Sequence, residues 1–180
     1  MKFPSSSSSS RVAGLDSRRR LLLLHLRFRY VKARYMKKEY ATFLASFKLI
    51  LKNGKKLLIL RESTTGFLDL PGGRIEKNET KLPIKKLFKR EINEELGGSV
   101  KYEILKPAFQ YRRYDKFRKI YVLVNAYEGR YLSGNIKLSS EHDKYKYEWV
   151  DPRRYNLKKQ KFNNPEERAA FEAYFNNFKK

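Results

Sequence analysis

Five carboxylates crowd one short window of this chain: Glu76 and Glu79 follow the turn Pro71-Gly72-Gly73, and Glu91, Glu94 and Glu95 come a little further on. With 42 Lys+Arg against 19 Asp+Glu in the whole chain, that concentration of acid calls for a chemical reason. Pro83 suits a first helical turn, where its missing N–H has no bond to lose, and Gly97-Gly98 suits the stop, so the window predicts a helix over roughly 83–96. At about 100° per residue, Ile84, Leu87, Phe88, Ile92 and Leu96 form one apolar arc, while Lys85, Lys86, Lys89 and Asn93 crowd the opposite side. Glu91 and Glu95 project within the apolar arc, with Glu94 at its margin. A solvated acidic face does not explain them, because the lysines already hold that face.

Three carboxylates near a helix C-terminus repel one another and face the negative end of the helix dipole. Arg90 can pair with Glu94 at i,i+4 or reach back to Glu79, but one guanidinium does not neutralise four acids. A divalent cation does. Hard oxygen donors, in a chain with no Cys and two His, point to Mg²⁺ or Mn²⁺ rather than Zn²⁺. Such metals bridge phosphate oxygens, polarise phosphorus and lower the pKa of a bound water, while a free carboxylate takes its proton. The glycines of Pro71-Gly72-Gly73 let the backbone approach closely and expose a carbonyl as a further ligand. A purely structural acidic cluster without metal is the alternative.

The same residues resemble the Nudix box, G-x5-E, a spacer, then R-E-U-x-E-E-x-G with U aliphatic. Gly73, Glu79, Arg90, Glu91, Ile92, Glu94, Glu95 and Gly97 fall on its positions. Two features depart from the family pattern: the spacer Thr80–Lys89 is three residues longer than usual, and Gly98 stands where an aliphatic residue is common. The resemblance covers Lys37 to Lys180 and implies an α/β fold, a Nudix-like α/β/α sandwich with a mixed β-sheet, in which the box helix borders the active site. It implies a hydrolase of nucleoside diphosphates linked to another group. Glu91, Glu94 and Glu95 would bind metal and include or position the base, Arg90 and Glu79 would orient them, and Gly72 would lend its carbonyl. Glu141 occupies a late loop from which some members supply an extra carboxylate; the adjacent His142 reads as a loop residue.

The elements that must position these groups are legible in the alternation. Ala41–Leu51 and Lys56–Leu60 read as strands joined by Lys52-Asn53-Gly54-Lys55, whose Asn-Gly is a short-hairpin signal. Phe67–Leu70 leads into the glycine turn. Val100–Tyr111 and Lys119–Tyr127 alternate as strands, with Tyr111–Arg118 as a polar hairpin loop, and Tyr145–Val150 supplies another. Asn164 caps a last helix with Pro165 and two acids in its first turn, and Ala170, Phe171, Tyr174, Phe175 and Phe178 give it an apolar face.

For substrate contact, Arg61 stands at the end of the second strand and Arg74 beside the glycine turn. Tyr111, Arg112 and their neighbours interleave aromatics with cations, a pattern suited to stacking on a base and attracting phosphate. Each has an alternative as a surface cation or a solvated hairpin tip. The net charge of +23 concentrates any polyphosphate and also holds RNA nonspecifically, so it separates neither substrate class. The expected partner is therefore a small nucleotide, with RNA 5′ ends or caps as the rival and a non-catalytic nucleotide-binding or RNA-binding module as the third reading; oligomeric state is unknown.

Residues 1–35 differ from the predicted domain, 36–180. Ser5–Ser10 is low-complexity, and Arg18-Arg19-Arg20, Arg27, Arg29, Lys32 and Arg34 make a basic segment with a single Asp. It reads as a disordered extension or a misassigned start upstream of Met36, as an organelle transit peptide, or as a basic arm for nucleic acid or anionic lipid. A secretory signal fits poorly, since the apolar stretch Leu21–Leu26 contains His25 and runs into arginines. No apolar run approaches the ~20 residues that span a bilayer. The lack of cysteine excludes disulfides and is compatible with a cytoplasmic setting.

Overall fold

The computed structural model describes residues 20–25, 39–138 and 145–179, and divides into two units, Met1–Ala41 and Thr42–Lys180. In the first unit residues 20–25 are helical with Leu21–Leu24 exposed; most of the basic segment 1–35 lies outside the described residues. Because that segment lacks a periodic apolar face, a chain of residues 36–180 alone is expected to melt within a few degrees of the full chain. Failure of the shortened chain to fold, read by circular dichroism, would move the domain boundary upstream.

The second unit is built on a six-stranded mixed sheet: β1 (Phe43–Asn53), β2 (Lys56–Glu62), β3 (Leu68–Asp69), β4 (Lys101–Asp115), β5 (Ile120–Ser133) and β6 (Tyr145–Val150). The order is β3-β2-β1-β5-β4, with β6 on β2. β1 and β5 are parallel and the other pairs antiparallel. Asn53 pairs with Lys56 across the predicted turn, where Gly54 takes φ 57°. Alternation then sorts each strand between two faces. Leu49 and Leu51 of β1 and Leu58 and Leu60 of β2 pack against Phe88, Ile92 and Leu96 of the helix α1 (Ile84–Leu96). Ile50, Ile59, Val122 and Val124 pack on the other face with Phe171, Tyr174 and Phe175 of α2 (Pro165–Asn176). Asn164 caps α2 as predicted, accepting from Glu167 N at 2.8 Å. Helices on both faces of a mixed sheet make the α/β/α sandwich. No helix among the described residues is long and apolar enough to cross a membrane.

One predicted boundary is corrected. The stretch Tyr111–Arg118 is not a polar loop, because β4 runs through it to Asp115 and turns over in residues 116–119. Tyr111 faces inward, 2% exposed, and its hydroxyl donates to Glu167 at 2.9 Å. Glu167, read from sequence as a first-turn helix acid, is buried and also accepts from Asn163 N at 2.7 Å. β4 is an edge strand, which explains how it tolerates Pro107 at a register irregularity. Tyr111→Phe removes one donor from a buried carboxylate and is expected to cost about 1–3 kcal/mol in chemical denaturation. A change below a few tenths would mean that Asn163 alone satisfies Glu167.

Candidate active site

β2 pairs with β1 only beside their turn, and the space along the first half of β1 is taken by residues 71–75. Leu49 N donates to Pro71 O at 2.8 Å, Phe47 N to Gly73 O at 2.9 Å and Ile75 N to Ala45 O at 3.0 Å. Gly72 sits at φ 119°, and a Cβ there would stand 2.2 Å from Phe47 O. A Cβ on Gly73 would stand 2.3 Å from Oε1 of Glu91. Gly72 is therefore required by the strand backbone beside it, while a side chain at Gly73 would push the Glu91 carboxylate out of its place. Gly72 N closes the arrangement by donating to Glu95 Oε2 at 2.7 Å.

Arg90 organises the acids. Its Nε and a terminal nitrogen grip Glu79 at 2.6 and 2.8 Å, and its other contacts are Glu91 at 2.8 Å, Glu94 at 2.9 Å and the Arg74 carbonyl at 3.2 Å. The long spacer does not disturb this. Lys77–Glu79 form a 3₁₀ turn, Leu82 N bonds back to Glu79 O at 2.8 Å, and Pro83 stands at the N-cap of α1, so that the helix begins one residue after the predicted start. The added residues are absorbed between Thr80 and Pro83, which leaves Glu79 buried under Arg90.

The electrostatics divide these acids by role. The hydrogen bonds from Arg90 hold Glu79 below the usual carboxylate range against its burial. Burial pushes Glu91 up, opposed by Arg90, and pushes Glu95 up to about 7, opposed by Lys48 and Gly72 N. Glu94 is the outermost, its side chain 54% exposed. Among the described residues no three carboxylates converge closely enough to enclose a metal ion, because the Arg90 guanidinium stands among Glu79, Glu91 and Glu94.

Glu91 and Glu95 open onto a cleft of about 490 Å³ whose other walls include Ser46, Lys48, Asp69, Arg74 and Arg113. Lys48 is 5% exposed and donates to Asp69 at 3.1 Å and to Leu70 O at 2.9 Å.

The family model of the NUDIX domain matches residues 42–173. The chain belongs to the Nudix family. Its box positions are the residues just described, and the enzyme is a Nudix hydrolase, a pyrophosphohydrolase acting on phosphoanhydride bonds. The MutT protein of Methanosarcina mazei Go1 superposes with a TM-score of 0.58 at 25% identity, over 79% of this chain and 100% of that one. A MutT Nudix hydrolase of Burkholderia pseudomallei gives 0.56 at 19% identity, over 73% and 97%. A UDP-X diphosphatase gives 0.51 at 16% identity, over 90% and 80%. The last two likenesses bear on the fold alone. No curated protein matches the chain by sequence.

Within this Nudix cleft the structure brings together Gly72, Glu79, Arg90, Glu91, Glu94 and Glu95, and adds Arg74, which pairs with Asp115 at 2.7 Å. Three of the expected substrate contacts stand off the lining of the cleft. Arg61 is tied to Glu148 at 2.9 Å and to Tyr155 and Gln160 at 2.7 Å each, in a network joining β6 to residues 155–160 outside the cleft. Tyr111 is core, so it offers no face for stacking. Arg112 points outward to Glu166 at 3.2 Å. Glu141 and His142 lie outside the described residues. Sequence reasoning missed Lys48 and Asp69 as cleft residues, and took Arg113 only with Arg112, as part of a hairpin loop suited to attracting phosphate. The signal for Lys48 was a lysine at the parity of Ser46 and Ile50, in the middle of a strand whose other buried positions are uncharged.

Proposed function

We propose that this Nudix hydrolase is Mg²⁺-dependent and cleaves the pyrophosphate bond of a small nucleoside diphosphate derivative, such as a nucleoside triphosphate, in the cleft beside Gly72 and Gly73. The carrying observation is a pair of carboxylates, Glu91 and Glu95, that burial disfavours as anions, placed in a cleft whose far walls carry the cations Lys48, Arg74 and Arg113. A site poor in solvent, acid on one wall and basic on the other, suits a metal-bound phosphate chain.

The donor set fits a hard divalent cation. It consists of oxygens only, burial of the acids sets a cost that a cation offsets, and the Gly72 carbonyl takes no part in the ladder that uses those of Pro71 and Gly73. Glu91, Glu94, Glu95 and the Gly72 carbonyl would hold it, with Glu91 and Glu94 exchanging their present bonds to Arg90. When bound, such a cation neutralises phosphate charge and acidifies a water. The residues of the chain do the rest: Gly72 N fixes Glu95, Glu79 fixes Arg90, and a carboxylate of this set accepts the proton of the attacking water. Nucleoside triphosphates, dinucleoside polyphosphates, ADP-ribose and 5′-triphosphorylated RNA, assayed side by side with Mg²⁺, test the reading. Turnover of a free nucleotide at a rate matching or exceeding RNA is the expected result, and no turnover of any of them would leave a binding module.

An RNA 5′ end is the second reading. It is favoured by exposed Tyr114 and Tyr121, whose ring centroids lie 5.0 Å apart beside Arg112 and Arg113. RNA would engage several further phosphates, so its KM would rise steeply with salt, whereas the KM of a free nucleotide would respond far less. A shallow salt dependence is expected here. Efficient hydrolysis confined to RNA, with a steep salt slope, would reverse the order of the two readings.

A further inference from the structure

A second cavity, of about 810 Å³, adjoins the catalytic cleft, and Arg74 and Arg113 line both. Arg118 stands at the same junction and lines the cleft. Three guanidinium groups thus meet where the two cavities meet. The charges of Arg118 and Arg113 both bear on Arg74. Asp115 is the carboxylate paired with Arg74, at 2.7 Å, and with Arg118, at 3.2 Å. Arg113 has no hydrogen bond or ion pair with any described residue, although it is half-buried on the inward side of β4. The negative charges that bear on it are those of Asp69, which already binds Lys48, and of the buried Glu167. Beside Arg113, Arg74 Nε is a buried donor with no hydrogen-bond partner among the described residues.

A buried donor without a partner is costly, and Arg74 Nε is one; beside it stands the half-buried guanidinium of Arg113, so an anion seated at this junction would meet both. A guanidinium presents a planar fork that matches phosphate oxygens. The excess of positive charge over Asp115 calls for an anion carrying more than one charge.

We infer that Arg113, with Arg74 Nε beside it, binds a phosphate of the substrate lying beyond the pair that is cleaved, and so selects substrates carrying at least one phosphate more than a simple diphosphate conjugate. This rests on the proposed catalytic cleft and deepens it by naming what the substrate must present at its far end. The phosphate can belong to a free nucleoside polyphosphate or to an RNA backbone, and both have the same chemistry at Arg113.

The test uses the full chain and inorganic tripolyphosphate in metal-free buffer, with binding read by calorimetry. Arg113→Gln is expected to weaken tripolyphosphate at least about tenfold, with Arg113→Lys intermediate and Arg130→Gln, at a distant surface pair with Glu103, without effect. Asp115→Asn should act in the opposite sense and tighten binding severalfold, because it keeps the acceptor that bonds Phe117 N and Arg118 N while removing the competing charge. A merely structural role for this cluster would weaken binding in both variants, and that pattern would overturn the inference, as would unchanged affinity in Arg113→Gln.

In turnover, Arg113→Gln should raise KM about tenfold for a nucleoside triphosphate, through KM more than kcat, and should raise KM for ADP-ribose severalfold less. Equal KM shifts for the free triphosphate and triphosphorylated RNA would assign the phosphate to the 5′ polyphosphate. A shift confined to RNA and growing with its length would assign it to the backbone, and no shift with either would contradict the site. Because tripolyphosphate binding is read without hydrolysis, an inactive wild-type enzyme would count against the catalytic reading alone.

Discussion

Glu95→Gln and Glu91→Gln are each expected to lower turnover by at least about a hundredfold while the chain remains folded. Both substitutions keep shape and remove a cleft-facing charge, and the amide introduced by Glu95→Gln retains an oxygen for the Gly72 N–H that Glu95 now accepts at 2.7 Å. Stability should move the other way. Without metal the Glu95 carboxyl titrates near 7 in the folded chain against an ordinary value of 4.5, because it is buried. A carboxyl with a raised folded pKa is ionised first in the unfolded chain, so folding loses stability as pH rises from about 4.5 through about 7. That loss is on the order of 2–3 kcal/mol from the shift alone. Glu95→Gln lacks it, and in chelator at pH 8 should be at least as stable as the parent enzyme, with the advantage shrinking toward pH 5. Near-normal rates in both variants would remove these residues from the chemistry, and a marked loss of stability at pH 8 would give them a structural role instead.

Arg90→Ala should cost about 3–5 kcal/mol, the largest stability effect expected of any polar residue in the site. Glu79, 7% exposed at its side chain, would lose both bonds that hold it, at 2.6 and 2.8 Å, and would keep only the Glu76 N–H at 2.9 Å. The variant should also be nearly inactive, since Glu91 and Glu94 lose their shared anchor. The pH dependence carries a sign. Arg90 holds the Glu79 carboxyl below its usual range, so its contribution is present above the unfolded pKa and is lost as pH falls through the folded one. The stability gap between parent and Arg90→Ala should therefore narrow in acid. Adding Glu79→Gln to Arg90→Ala should recover part of the loss, a coupling measurable by a double-mutant cycle. A single substitution costing under about 1 kcal/mol, or a double variant no better than the single, would show that Glu79 does not depend on Arg90.

Much of this was legible in the residues because the relevant periods are short. The Asn53-Gly54 turn, the apolar arc of α1 and the cap of α2 are local patterns, and each element forms where its pattern lies. Glu91 and Glu95 stood out because helical spacing put acids on an arc that the core needs. The errors came from partners distant in sequence. Arg61 has the look of a phosphate ligand at a strand end, but its side-chain partners are 87 to 99 residues away and visible only once β6 and residues 155–160 fold beside it. Tyr111 through Arg118 looked like a loop for its charge, yet the inward parity of Phe109, Tyr111 and Arg113 continues β4 through it. Arginine can occupy an inward strand position where the interior is a cleft, and polarity alone does not separate that from a solvated tip. The long spacer was ambiguous in sequence because nothing local says whether added residues move Glu79 or bulge away; here the turn at Thr80–Pro83 takes them up.

If these carboxylates direct attack at a phosphoanhydride bond, the cleavage must be visible at phosphorus and must depend on them. ³¹P NMR of a nucleoside triphosphate incubated with Mg²⁺ and enzyme, in parallel with Glu95→Gln, tests it most directly. With the parent enzyme the α-, β- and γ-phosphorus resonances of the triphosphate should give way to those of a nucleoside monophosphate and pyrophosphate, and with the variant they should persist. Intact anhydrides with the parent enzyme across the whole substrate series, or equal cleavage by both proteins, would contradict it.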